Sequence, residues 1–295
     1  MRTFARLGMV LGVVLSVAAG AHAQSGVKVE VDEVIDNRVN AGGWTGTLDL
    51  RVKLQGSAAD KAHAARIVAK EARGGGGIPL AEGWKAPDFT PRDYNMGMLQ
   101  VSLGMPTRAA SSVKVKGTVE LFVPGRDPNA IVKIDKALAK LDAPLASKAL
   151  KAAKVTITPM SREGYAAAKK ANQLDDKKIA ELRAEGKKQG VSEKEIEMAI
   201  EMAKAFENID GDLPEGSVVL SGTASDFDKI FRIEVLGADG QPINTTGRSV
   251  STRGESTIMT IQPSEPPPAN AALQIFLLTD KSRVTSPFEL SVPLP

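Results

Sequence analysis

The chain has 295 residues, 38 basic and 35 acidic, giving a formal charge of +3, and it contains no cysteine. Disulfide staples, zinc–thiolate sites and cysteine nucleophiles are thereby excluded, and so even a charge balance gives no strong pull toward nucleic acid or anionic membrane. Aromatic residues make up only 4 % of the chain, so its cores must be built from Val, Ile, Leu and Ala.

The N-terminus reads as an address. Arg2 and Arg6 precede an apolar run over 7–19 that is short for a bilayer span, and Ala21-His22-Ala23 places small residues at a cleavage site. Residues 1–23 are therefore expected to be a signal peptide, with a mature chain starting near Gln24 and exported to the periplasm or outside the cell. No cysteine follows to carry a lipid anchor, and no later stretch is apolar enough to be a transmembrane segment.

Beyond the leader most of the chain reads as strands. Val27 to Val31 alternates apolar and polar residues, as do 48–54, 113–119, 155–157 and 273–277, with Gly, Pro and Asp between them. Self-comparison finds one order of elements twice. RIVAKEARGGGGIPL from Arg66 parallels RIEVLGADGQPI from Arg232. MLQVSL at Met98 parallels IMTI at Ile258, VKVKGTVELFV at Val113 parallels AALQIFLLT at Ala271, and AIVKI at Ala130 parallels FELSV at Phe288. Gly74 to Gly77 then reads as a hairpin turn, since neither a Lys-Ser/Thr pair nor a helix follows to hold a phosphate.

This predicts a mainly β protein of two tandem antiparallel β-sandwiches, at 24–136 and 153–295, joined by a Lys- and Ala-rich linker over 137–152. The layout resembles immunoglobulin-like and fibronectin type III modules. The tandem arrangement also resembles uncharacterised families of exported bacterial proteins, a likeness that carries no site residues with it.

The second unit is interrupted over about 161–212 by a helix-forming stretch without proline. Ser192 and Glu195 form a capping box, Val191 and Ile196 occupy the staple positions, and Gly190 fits the end of the preceding helix. A helical hairpin turning at Gly190-Val191 is predicted. Ile196, Ala199, Ile200, Ala203 and Phe206 form one apolar stripe, widened by Met198 and Met202. Either the helix lies between its twin and the sheets and buries both sides, or Met198 and Met202 form an adaptable surface for a partner.

The loop over 79–95 holds Trp84, Phe89 and Tyr94 among Glu82, Lys85, Asp88 and Asp93, a mixture suited to a sugar or peptide ligand. Trp44 is placed to join them. The alternative is that these rings fold back and plug the end of the first sandwich. Asn208, Asp210, Asp212 and Glu215 have oxygen-ligand spacing, but Leu213 and Val219 stand where a calcium loop needs Gly and Glu, so an EF-hand is rejected. Asp226 and Asp228 form a second carboxylate pair, expected on a strand and pointing to no chemistry. The lysines of the linker have no interleaved aromatics to stack on single strands. His63, the only histidine after the leader, lies among small and charged residues with no nucleophile motif. The expectation is a non-catalytic binding or scaffold protein of the envelope with a protein or polysaccharide partner and no cofactor, metal or nucleic acid. An assembly or chaperone-like factor docking a partner through the hairpin is the alternative, and a hydrolase ranks behind both.

Overall fold

The computed structural model describes residues 26–37, 46–77, 87–92, 99–172, 176–209 and 213–294, so the expected leader lies outside the described residues. In chain order the first half gives β1 (Lys28–Asn37), β2 (Thr47–Gln55), α1 (Ser57–Asp60), β3 (Ala64–Gly74), β4 (Thr90–Pro91), β5 (Leu99–Gly104), β6 (Ser112–Phe122) and β7 (Ile131–Ile134). Then come α2 (Lys148–Ala152), β8 (Thr158–Met160), α3 (Arg162–Asn172), α4 (Asp176–Lys188) and α5 (Glu193–Ile209). The remainder is β9 (Val218–Gly222), α6 (Ala224–Phe227), β10 (Ile230–Leu236), β11 (Thr245–Arg253), β12 (Ser256–Pro263), β13 (Ala272–Leu277) and β14 (Arg283–Pro293). The chain is mainly β, in antiparallel sheets.

Two sheets, β1-β2-β5 and β14-β6-β3-β4, share one core. Leu48, Leu50 and Val52 face it from β2, Val101 and Leu103 from β5, and Val113, Val115 and Val119 from β6. The period of two puts these residues on one face and leaves Lys53, Gln100, Lys114 and Lys116 outside. A second core lies between β11-β12-β9-β8 and β10-β13-β7, with Leu220, Met259, Ile261, Ile233, Val235, Leu273 and Ile275.

The two halves exchange their last strands. β7 follows β6 in sequence but pairs with β13, Ile131 opposite Phe276 and Ile134 opposite Leu273. β14 follows β13 but pairs along its whole length with β6, from Arg283 opposite Phe122 to Pro293 opposite Ser112. Val284, Leu290 and Val292 thus complete the first core, and Val132 completes the second. The division at 136 and 153 is corrected at this point: strand 283–293 belongs by pairing to the first half and 131–134 to the second. Both exchanged strands are sheet edges, where Pro287 of β14 is tolerated because no ladder partner lies beyond it. On β6, Gly117 sits under the ring of Phe288. A Cβ there would lie 2.8 Å from that ring and 2.2 Å from the Val68 carbonyl oxygen.

The two crossing segments are stitched together. Val123 N–H donates to Ser282 O at 2.7 Å, and Leu277 N–H donates to Ala130 O at 2.8 Å. Asp127 is buried at the crossing. It accepts from the Thr279 hydroxyl at 2.6 Å and from the Asn129 amide at 2.9 Å. The Thr279 hydroxyl foremost, then the Asn129 amide, hold its carboxyl below the usual range against the opposing effect of burial. A depressed folded-state pKa stabilises the fold above the unfolded value, and that contribution is lost as pH falls through the folded one. Asp127→Ala should therefore cost about 1–3 kcal/mol near neutrality. In thermal melts run side by side, the gap from the parent chain should close as pH falls below about 4. A gap of constant size down to the lowest pH would mean that the charge of the carboxylate does not hold the crossing.

Two further expectations change. The linker over 137–152 is part of the second core: Ala137 and Leu150 are buried in it, with Ser147 capping α2 through the Leu150 amide at 3.5 Å. The strand expected at 155–157 starts at Thr158 instead. Val155 and Ile157 still point into the core, while the Thr156 amide donates to Asp226 Oδ1 at 3.0 Å.

Candidate functional site: an exposed helical face

β8 and β9 are paired neighbours, Met160 opposite Val219, and the helices α3 to α5 leave and return between them. The base of this arm is closed by Arg162 Nη2 donating to Pro214 O at 3.1 Å. Ser161 caps α3 by accepting from the Gly164 amide at 2.8 Å, and its own amide donates to Asp142 Oδ1 at 3.0 Å. The second turn of the arm follows the sequence signals. Val191 N–H donates to Gly186 O and Gly190 N–H to Lys187 O, the paired bonds of a Schellman end, with Gly190 at φ 76°. The Glu195 amide then donates to Ser192 Oγ at 3.3 Å and the Ser192 amide to Glu195 Oε2 at 3.1 Å, closing the capping box. The Ser192 hydroxyl, then its amide, hold the Glu195 carboxyl below the usual range.

α4 and α5 pack on each other. Ile179, Ile196 and Ile200 form a small core of their own, separate from both sheet cores. Gly186 makes the close approach possible, since a Cβ there would lie 2.7 Å from Ile196 Cδ1. One edge of the pair is closed by ions. Arg183 meets Glu197 through two bonds of 2.6 and 3.0 Å, which raises the guanidinium pKa further, and Lys187 meets Glu193 at 3.2 Å.

The rest of the pair carries apolar side chains into solvent. Met198 is 52 % exposed, Met202 54 % and Leu182 47 %. At about 100° per residue, Leu182 on α4 and Ala199 and Met202 on α5 fall on the side away from the ion pairs, with Met198 next to them. The expectation that α5 buries both sides, between its twin and the sheets, is thus corrected, and Ala199 leaves the buried stripe. Ile196 and Ile200 turn to α4, while Met198 and Met202 turn outward. The side chains of Ala203 and Phe206 lie outside the described residues. Val191 is 40 % exposed, so the expected staple to Ile196 leaves much of it in water. Sequence reasoning missed Leu182, which is flanked by Glu181 and Arg183 and looks like part of a solvated face.

The aromatic candidates behave differently. Trp44, Trp84 and Tyr94 lie outside the described residues. Phe89 is half-buried where the two halves meet, its ring 6.3 Å from Phe231 and covered by the Arg66 guanidinium at 4.5 Å. It packs inward, in the manner of the plug alternative. His63 is exposed beside the same cluster, with Phe122 and Phe276 at 6.4 and 6.5 Å.

An open depression of about 320 Å³ is lined, mostly by carbon atoms, by Thr156, Thr158, Ser221, Gly222, Thr223, Asp226, Glu255 and Ser256. Asp226 is not on a strand, as expected, but in α6, where it is already engaged. Its oxygens accept from the Thr223 amide and hydroxyl and from the Thr156 amide. Burial works to raise its pKa, but these bonds outweigh it and hold the carboxyl below the usual range. Among the described residues no group of three or more His, Cys, Asp or Glu is placed to hold a metal ion, and no helix is long and apolar enough to cross a membrane. Asp210 and Asp212, and the side chain of Asn208, lie outside the described residues. No protein family, curated protein or solved structure matches this chain.

Proposed function

We propose that the chain is an exported, non-catalytic scaffold or binding protein of the cell envelope, which holds out a helical hairpin to a protein partner from two immunoglobulin-like β-sandwiches. The observation that carries this reading is the outward turn of Met198 and Met202 on a helix whose other face is already satisfied. Exposed unbranched thioethers on a protruding element suit a docking surface that adapts its shape. The sandwich reading is supported by strand order. β11-β12-β9-β8 against β7-β13-β10 is the four-on-three order of constant-type immunoglobulin domains, and β1-β2-β5 against β14-β6-β3-β4 is its close variant, each with a borrowed last strand. Export rests on the leader pattern at 1–23. The non-catalytic reading rests on the missing nucleophile motifs and on a single post-leader histidine that serves the edge of an aromatic cluster.

The test is excision of the arm. Because Met160 and Val219 are already paired neighbours, replacing 162–217 with a short turn reconnects two strands of one sheet. The isoleucine core of the arm is not shared with the sheets, so the excised chain should keep its thermal midpoint to within about 5 °C. In the producing cells, the complexes captured by in-cell crosslinking of the parent chain should vanish. An excised chain that stays folded and is captured in the same complexes would refute the arm as the docking element.

A further inference from the structure

We infer that β14 is a strand which one copy of this chain gives to another, each copy's last strand completing the first core of its partner in a strand-exchanged dimer. The inference is independent of the arm and rests on what the two halves of one chain already do to each other. Laid in order on β8 to β14, β1 to β7 give the same pairings: β1-β2-β5 matches β8-β9-β12, and β3-β6-β14 matches β10-β13-β7. The short helices α1 and α6 fall at the same place in the two series. The stitching bonds match as well, since the Val123 amide reaches the residue before β14 and the Leu277 amide the residue before β7. Mutual exchange of the last strand between two like units is the architecture of a swapped dimer, held here within one chain. The acceptor is also shaped to this one segment. β6 pairs along all 11 residues of β14, Val284, Leu290 and Val292 fill the first core, and Gly117 leaves room for the ring of Phe288. None of these contacts depends on which copy supplies the strand.

The turn over 279–282 keeps β14 on its own chain. Thr279 O accepts from the Ser282 and Arg283 amides, both at 3.1 Å, and the Thr279 amide donates to Ser282 Oγ at 2.9 Å. Asp280 and Lys281 are exposed at its tip. Opening the turn gives up these bonds and leaves the ladder on β6 and the buried side chains of β14 to be remade unchanged on a second copy. A short hinge holds its own strand at an effective concentration of millimolar order, so the strand stays at home in dilute solution. Exchange gains ground when chains fold together at high concentration.

The chain has no cysteine, so an introduced disulfide reports where β14 sits. Lys116 on β6 and Glu289 on β14 are opposite each other, exposed and ion-paired at 3.4 Å. With both changed to cysteine in one chain, an internal disulfide should close in the monomer and show that the pair is in register. Lys116→Cys and Glu289→Cys on separate chains, unfolded together and refolded in air at about 100 μM, should give a covalent dimer with one of each, in about a tenth of the chains. Adding Lys281→Pro to both should raise that yield about threefold or more, because the residue before a proline is kept out of the helical backbone that the turn needs at Asp280. Dimers from either variant refolded alone set the background. A mixed dimer no more abundant than that background, in chains with the native hinge, overturns the inference. So does a mixed dimer that forms equally well when the two variants are folded first and mixed afterwards, since β14 must be withdrawn before it is exchanged. A yield that Lys281→Pro leaves unchanged overturns the turn as the tie.

Discussion

Ending the chain after Lys281 should unfold the half of the protein that lies farthest from the cut in sequence. The truncation removes β14, and with it Val284, Leu290 and Val292, which are buried in the first core, and the ring of Phe288 over Gly117. At about 1.5–3 kcal/mol for each fully buried aliphatic side chain, the three alone contribute roughly 5–9 kcal/mol. That is comparable to the whole stability of an ordinary domain, about 5–15 kcal/mol. The ladder along β6 is lost as well, which exposes its edge to pairing with other chains. The second core keeps β7, so the truncated chain should still show a cooperative melt, from the second half alone, while the first half is unfolded from the start. Expressing 24–136 and 137–295 separately should give two insoluble products, each lacking one strand, and co-expression should rescue both as a complex. A chain with the exchange undone decides whether the exchange is the cause. Arg283 lies opposite Phe122, so joining them through an Asn-Gly turn places β14 directly after β6 in a hairpin. Residues 26–122 followed by 283–294 should then fold alone. Soluble, cooperatively melting 24–136 without β14 would contradict the exchanged pairing.

This exchange marks the limit of what the sequence made legible. Strand periodicity located β1, β2, β6 and β13 because alternation is a local property, self-comparison of the two halves added β3, β5, β10 and β12, and the capping box at Ser192 located the start of α5 from local spacing alone. The order of repeated elements was legible too, since AIVKI and FELSV occupy equivalent places in the two halves. Their partners were not. Both strands alternate, both follow a strand that offers an open edge, and either pairing buries the same kind of residue, so no local signal chooses. The deciding contacts are between residues far apart in the chain, such as Thr279 on Asp127 and Ser282 on Val123. The same holds for Phe89, whose setting depends on Phe231 more than a hundred residues later. On the arm, the width of the apolar face of α5 was readable from spacing. Which part of it would stay open depended on how α4 lies against it, and that is set by Gly186 and the Arg183–Glu197 pair.

Phe122→Ala should be the most damaging single substitution at the junction of the two halves. Phe122 ends β6 with its ring fully buried among Ala64, Ala130 and Phe276, and 5.2 Å from the Phe231 ring. It is the point where the last residue of a first-core strand meets the second half, directly before the chain crosses. Truncating a buried phenylalanine typically costs about 3–5 kcal/mol, including the cavity left behind. For a chain of this size that lowers the thermal midpoint by roughly 6–20 °C. Phe231, only half-buried, should cost less when changed to alanine. The shape of the transition carries more information than its position. Because each half holds a strand of the other, the parent chain should melt in a single transition, its halves coupled through the crossing segments and the ring cluster. Removing Phe122 loosens the cluster but leaves the exchanged strands paired, so the variant should melt earlier and still in one step. Two separate transitions in Phe122→Ala would mean that the rings, and not the exchanged strands, couple the halves. Two transitions in the parent chain would mean that neither does.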